Sequence, residues 1–412
     1  MSILRPFLSR AIRDGRLTVT LSDGSVETFG NPAPGFPDVA IRFTNQKAMW
    51  RILSDPRLGA GEAFMDGDLV IERGEIMDLA ALLRMNNPWD HARRLRDRGV
   101  VGDWMDWAKT RLNSINRRAR ARANVAHHYD IGNDFYRLFL DADMQYSCAY
   151  WPRPDMSLEE AQAAKKAHIA AKLALAPGQR VLDIGCGWGG MAITLARLAQ
   201  VEVLGITLSE EQLELARARA AEGGVADRVR FELIDYRDLA AREAGGFDRI
   251  VSVGMFEHVG ASNFAAFFRA CSNLMTADGV MLLHTIGRYG GPGATDAFTR
   301  KYIFPGGYIP ALSETLAASE KSRLIAADVE TLRLHYALTL RAWYARTVAH
   351  EAEIVATMGA RFFRMWTFYL AGATAAFESG GMGNYQIQFT RNRRALPLTR
   401  DYMADAERTY LA

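Results

Sequence analysis

Arg180-Val181-Leu182-Asp183-Ile184-Gly185-Cys186-Gly187-Trp188-Gly189-Gly190 is the stretch on which the reading of the fold turns. A short apolar run, RVLDIG at 180–185, ends in closely spaced glycines, and a helical pattern continues from Gly189 to Gln200. This is a strand, a tight turn and a helix. Glycines let the backbone turn sharply and approach a ligand, and the helix start offers N–H groups that lack intrahelical partners. The same alternation extends outward in both directions. Upstream, 156–175 reads as a helix with Ser157 as N-cap and Glu160 three residues on. Downstream come a strand at 201–207, a helix opened by Ser209 and Glu210 and running to Ala221, and strands at 229–235 and 247–254. A helix at 262–275 and a strand at 279–286 follow. Such alternation predicts an α/β fold, a parallel sheet with helices on both faces. Residues 290–320 depart from it. Beyond them, 327–333 reads as a strand, 335–378 as a long helical region and 383–391 as a last strand.

Gly185, Gly187 and Gly190 satisfy G-x-G-x-x-G, so a nicotinamide dinucleotide has to be weighed. Such a site expects an acid about 20 residues on, at the end of the second strand. Here that strand ends Gly205-Ile206-Thr207-Leu208-Ser209, with no carboxylate before Glu210. Asp183 stands two residues before the first glycine, and D-x-G-x-G-x-G is the form usual in S-adenosylmethionine (SAM) enzymes. With its downstream strands the stretch therefore points to SAM. Ile234-Asp235-Tyr236 ends the third strand, where an acid and an aromatic ring can address adenine; Thr207 and Gln212 flank the second strand end, within reach of ribose. The tail then suits a class I SAM-methyltransferase sheet, Rossmann-like, parallel with one antiparallel strand, and carrying a helical lid insertion at about 288–326.

The chain has 412 residues, 50 Lys plus Arg against 47 Asp plus Glu, 49% apolar and 24% charged residues. That is ordinary globular usage and suggests two or three domains, not disorder or a rod. A net charge of +3 gives no reason to expect nucleic-acid binding. Three cysteines, Cys148, Cys186 and Cys271, make neither a disulfide framework nor a metal-site spacing. Met1 to Ile12 carries Arg5 and Arg10 without a continuous apolar core, so no secretory signal is expected, and Met365 to Phe377 is too short to span a bilayer. The chain reads as cytoplasmic, with peripheral contact to the inner face of the membrane.

Residues 17–30 alternate around Asp23-Gly24 as a hairpin, 39–45 reads as a strand, and 46–86 is helical with a break at 59–68. Residues 1–86 are therefore expected to form a small α+β amino-terminal domain. A connector at 87–122 and a catalytic domain at 123–412 follow. From Arg93 to Arg122 there are ten Lys/Arg and three acids, a net +7, with Trp104, Met105 and Trp107 inside. Either this is a solvated linker, or it meets anionic headgroups at ~1 kcal/mol per basic residue.

The fourth strand ends Gly254-Met255-Phe256-Glu257-His258-Val259-Gly260, and the next ends Leu283-His284-Thr285-Ile286-Gly287. A carboxylate at the carboxyl edge of such a sheet is well placed for chemistry. With HHYDIGNDFY (127–136), YSCAYW (146–151), VLDIGCGWGG, GITLS, YIFPGGYIP and HYALTLRAW, these segments resemble the cyclopropane-fatty-acyl-phospholipid synthase family, which includes the mycolic acid cyclopropane synthases. The resemblance covers about 120–392, and GEAFMDGD within 1–86 resembles the amino-terminal domain of the longer bacterial members.

The resemblance implies methyl transfer from SAM to a cis double bond of an unsaturated phospholipid acyl chain, with bound bicarbonate as general base. It implies a bicarbonate site of Cys148, Glu257, His284, the Ile286 backbone and Tyr336. It implies SAM contacts at Tyr146, Ser147, Asp183, Gly185, Cys186, Gly187, Trp188, Gly189, Thr207, Gln212, Asp235 and Tyr236. No metal is expected from His127, His128 and His258, since the chemistry needs none. Some of Phe256, Trp188, Tyr302, Phe304, Tyr308, Phe362, Phe363, Trp366 and Tyr369 are expected to line an acyl tunnel, and most to be core. The amino-terminal part is expected to engage lipid or a second protomer, as in a homodimer. Two rivals stay open: a related lipid C-methyltransferase giving methyl-branched, methylene or furan-precursor chains, and a lipid-binding protein without turnover.

Overall fold

The computed structural model describes residues 4–91 and 132–411. Most of the basic connector, with Trp104 and Trp107, and His127 and His128 lie outside the described residues. The chain divides into two compact units that do not follow chain order. The first gathers the described residues to 91 with 295–305 and 336–382, and the second comprises 132–294, 306–335 and 383–411. The first therefore takes its pieces from three separate places in the sequence.

In the first unit, β1 (Arg16–Thr20) and β2 (Val26–Phe29) form the antiparallel hairpin expected from Asp23-Gly24. β3 (Asp38–Phe43) pairs parallel to β1, and β4 (Leu69–Arg73) antiparallel to β3, in the order β2-β1-β3-β4. β4 lies inside a stretch read as helical. It is an edge strand with only Leu69 buried, so its sequence lacks a clean alternation. The break expected at 59–68 is also displaced. Asp55 caps a helix at Pro56–Asp66 that runs through Gly59 and Gly61 and stops at Gly67, left-handed at φ 78°. The glycines are there for space. A Cβ on Gly59 would sit 2.3 Å from the Arg51 carbonyl oxygen, and one on Gly61 would sit 2.4 Å from the Phe298 ring. The region 335–378 is three helices, His335–Ala349, Glu351–Met358 and Ala360–Glu378. The last packs on Pro56–Asp66 and on Ile76–Met85, with Arg364 Nε donating to the Met65 carbonyl at 2.8 Å and Arg361 Nε to Asp66 at 2.9 Å.

The second unit is built on β5 (Arg180–Ile184), β6 (Glu202–Thr207), β7 (Val229–Leu233), β8 (Phe247–Val253), β9 (Met275–Arg288), β10 (Ile325–Leu332) and β11 (Met382–Thr390). Their order is β10-β11-β9-β8-β5-β6-β7. β5 to β9 pair in parallel where the registers run, and β10 pairs antiparallel with β11. This is the expected class I methyltransferase sheet. Successive residues serve two different cores. Leu182, Ile250, Met281 and Leu283 join one; Val181, Val251 and Leu282 join the other. Parallel strands buried on both faces read as apolar runs, which is why they are conspicuous in the sequence. Ser157 forms the expected capping box with Glu160 at the start of the helix Leu158–Lys172. Among the described residues no helix is long and apolar enough to cross a membrane.

Two glycines test the packing of the first unit. Gly61→Ala should lower stability by about 1–3 kcal/mol, because Phe298 and Phe368 must move. Gly372→Ala, on the exposed face of the helix Ala360–Glu378 with nothing within 4 Å of a new Cβ, should raise it by up to about 1 kcal/mol. Denaturant unfolding of both variants checks the pair.

Candidate active site

Strand order reverses between β5 and β8: β5 is followed in sequence by its neighbour β6 on one side, while β8 and then β9 lie on the other. Ligands bind at such a switch point, beyond the carboxyl ends of the strands. A cavity lies there, within the second unit. All the expected SAM residues line it except Gly189. Gly189 instead precedes the helix Gly190–Ala199 at φ 81°, where a Cβ would meet the Phe231 ring at 2.7 Å. Gly185, also at positive φ, has Met255 across the turn, 2.7 Å from a Cβ. The floor of the cavity therefore takes its shape from positions that no side chain can occupy.

Asp183, on β5, is buried with Oδ2 unpartnered, and loss of solvation pushes its carboxyl up to about 7. Thr207 donates to Gln212 Oε1 at 3.0 Å. Asp235 caps the helix Tyr236–Arg242 and also accepts from the Arg237 guanidinium at 2.6 and 2.8 Å. It is both a cap and a lining residue. Tyr236 is buried edge-on against Phe267.

The segment carrying Tyr146 and Ser147 is held from beneath by two residues that sequence reasoning missed. Gln162 Nε2 donates to the Gln145 and Ser147 carbonyls at 3.2 and 3.0 Å. Lys165 Nζ donates to Gln145 Oε1 at 2.7 Å and Ser147 Oγ at 2.8 Å. Lys165 is fully buried, and desolvation lowers it to about 8. A signal was present: Gln162, Lys165, His168 and Lys172 recur at helical spacing in an alanine-rich helix that is otherwise apolar on that face.

None of the five expected bicarbonate positions lines this cavity; four of them lie with it in the second unit. Ser147, beside Cys148, and Met255 and His258, around Glu257, all line it. Cys148 is buried with its Sγ 3.3 Å from the Ala149 carbonyl oxygen, and burial pushes the thiol up. Glu257 lies on a short 3₁₀ turn, Phe256–His258, whose Glu257 carbonyl accepts from the Tyr308 amide at 2.9 Å. Its Oε1 accepts from the Ile286 amide at 2.5 Å, while the buried Oε2 has no partner. Desolvation pushes this carboxyl up to about 7 against that hydrogen bond. His284 lies on β9 opposite Val253 of β8, and its carbonyl accepts from the Gly254 amide at 2.9 Å. Its Nδ1 is 3.2 Å from Gln386 Nε2, and its buried Nε2 is unpartnered. Burial, with Lys165 and Lys172 adding repulsion, holds it neutral, well below the usual histidine range.

The structure thus joins Glu257 directly to Ile286 and sets His284 two residues before Ile286 on the same strand. Tyr336 belongs to the first unit, where it is buried edge-on against Trp343 and Phe377. His258 is buried at the cavity wall, and desolvation takes it down to about 4. Of the aromatic set only Trp188 lines this cavity; Phe256 and Tyr308 are core.

Comparison with known proteins matches residues 116–387 to the mycolic acid cyclopropane synthetase family and residues 3–87 to a domain of unknown function. The chain is 40% identical over 353 residues to cyclopropane-fatty-acyl-phospholipid synthase of Escherichia coli K12, spanning 85% of this chain and 87% of that protein. It is 37% identical over 377 residues to a probable fatty acid methyltransferase of Pseudomonas putida, spanning 89% and 92%. The crystal structure of mycolic acid cyclopropane synthase CmaA1 with SAH and CTAB superposes with a TM-score of 0.61 at 35% identity, over 65% of this chain and 98% of that one. The chain belongs to the mycolic acid cyclopropane synthetase family and is a SAM-dependent methyltransferase.

Proposed function

We propose that this enzyme converts the cis double bond of an unsaturated phospholipid acyl chain into a cyclopropane ring, with bicarbonate as general base. One observation carries the reading: Glu257 Oε2 and His284 Nε2 are both buried and without partners, Glu257 between the lining residues Met255 and His258, and His284 paired with the lining residue Val253. Buried polar atoms are costly unless something pairs with them. A small polar ligand held there would pair with both. The names of the Escherichia coli and Pseudomonas putida relatives, a cyclopropane-fatty-acyl-phospholipid synthase and a probable fatty acid methyltransferase, support the substrate class.

The chemistry needs what this chain arranges. An alkene is a poor nucleophile, so the sulfonium methyl must be held in line and close. The alkene's electron pair forms a bond to the methyl carbon as the C–S bond breaks, leaving S-adenosylhomocysteine and a carbocation on the chain. A C–H electron pair of the new methyl then closes the ring as its proton departs to a base. Bicarbonate, held by Cys148, Glu257, His284 and the Ile286 backbone, supplies that base. The Ile286 amide fixes one carboxyl oxygen of Glu257 and leaves the other free to meet a ligand. With its carboxyl near neutrality, Glu257 is partly protonated at pH 7 and able to donate to an anion. Cys148 stays a thiol and is a donor rather than a nucleophile. Gln162 and Lys165 brace the wall that carries Tyr146 and Ser147.

The net +7 of Arg93–Arg122 supports a working position at an anionic membrane surface, the inner face of the cytoplasmic membrane. The amino-terminal part then engages lipid or a second protomer. Addition of a methyl without ring closure is the second reading, favoured by the Pseudomonas putida relative, a probable fatty acid methyltransferase.

Lipid mass spectrometry with double-bond mapping, after expression in a host lacking the activity, separates the readings. Gain of one CH2 with loss of the alkene is expected. The same gain with an alkene retained supports the second reading, and no gain refutes both. Glu257→Gln should reduce turnover roughly 10²-fold or more while SAM affinity stays within about twofold, read by titration calorimetry.

The same variant has a signature in stability. The unfolded chain loses the Glu257 proton near 4.5, whereas the folded chain keeps it to about 7. The folded state therefore binds more protons in that window, and its stability falls as pH rises through it. A neutral amide at this position carries no such penalty. Relative to the parent, Glu257→Gln should gain up to about 3 kcal/mol between pH 5 and pH 8. Thermal melts of the ligand-free proteins measure this, and a difference independent of pH contradicts the assignment.

A further inference from the structure

His284 is embedded in a polar ladder that the reaction scheme does not use. Gln386, on β11, lies beside it, with Nε2 3.2 Å from His284 Nδ1. On the other side Lys172 Nζ is 2.8 Å from Gln386 Oε1. Lys172 also pairs with Glu330, which sits opposite Gln386 on β10. Glu330 Oε2 is 2.7 Å from His168 Nε2, and His168 Nδ1 is 2.9 Å from Glu407. Gln386, Lys172 and His284 are all fully buried.

The direction of every proton in the inner part of this ladder follows from Lys172. An ammonium group donates and cannot accept. The amide atom facing it must be the oxygen of Gln386, so the amide nitrogen faces His284. That NH2 donates, so Nδ1 of His284 accepts and carries no proton. A neutral imidazole holds one proton, which is then on Nε2. Nε2 is the buried atom with no partner in this structure. Glu330, held between His168 and Lys172, keeps the lysine charged and in place.

We propose that Gln386, oriented by the Lys172–Glu330 pair, is a positioning residue that fixes His284 as an Nε2–H donor aimed at the site's anion. The anion's identity rests on the bicarbonate reading above; the tautomer does not. A histidine free to take either tautomer presents a donor only part of the time. This ladder removes that freedom by a chain of hydrogen bonds that reaches the edge of the sheet. Hydrogen bonding at the far ring nitrogen is the usual means by which proteins set which imidazole nitrogen does the work.

The test is the ¹⁵N spectrum of histidine-labelled enzyme, with His284→Asn used to assign the His284 signals. In the parent protein at pH 7, Nε2 should show the shift of a protonated nitrogen and Nδ1 that of an unprotonated one. The reverse pattern, or an averaged pair of shifts, overturns the proposal without any variant. In Gln386→Glu the new carboxylate still accepts from Lys172 but cannot donate to Nδ1, so the proton should move to Nδ1. A folded Gln386→Glu whose His284 keeps the parent pattern also overturns it. Titrating bicarbonate into the parent should shift the Nε2 resonance. The expected tautomer without that response supports the role of Gln386 and counts against bicarbonate as the acceptor.

Discussion

β5 and β8 lie side by side, but their connections leave in opposite directions, and a crevice opens at their carboxyl ends. The rest of the site depends on this constraint. The glycine turn after β5, the Thr207 and Asp235 strand ends, and the Glu257 turn after β8 all reach the same edge because the topology delivers them there. The 145–147 segment closes the remaining side, where Gln162 and Lys165 hold its carbonyls and side chains and Asp141 accepts from the Gln145 amide.

Burial at that edge has an electrostatic consequence. Asp183 and Glu257 are both pushed up to about 7 and Lys165 down to about 8, so three groups sit close to neutrality in one small region. Shifts of this size cost stability and collect where chemistry is done. Their directions suit a cationic methyl donor: a positive charge entering the cavity favours the ionised form of Asp183. Glu257 is held differently, with its Oε1 on the Ile286 amide.

The sheet and the nucleotide end were legible in the sequence for a physical reason. Strands buried on both faces are continuous apolar runs, and the glycines after Asp183 occupy a turn that few other residues allow. The residues that order the site were less legible. Gln386 meets His284 across 102 positions and Lys172 across 214, and no local pattern announces such pairs. Gly59 and Gly61 read as a helix break because a lone sequence does not show the carbonyl and the ring that they make room for. β4 was missed for the opposite reason, since an exposed edge strand carries little pattern at all. The first unit draws on segments hundreds of residues apart, and chain order gave no hint of their union.

In the proposed reading Glu257, on the turn after β8, and His284, within β9, hold the base on which ring closure depends. The most direct measurement is the turnover of purified enzyme on vesicles of unsaturated phospholipid with SAM, in buffer stripped of carbon dioxide and then resupplied with bicarbonate. The rate should collapse on stripping and recover on addition at constant pH. A rate indifferent to bicarbonate, with SAM binding intact, would contradict it.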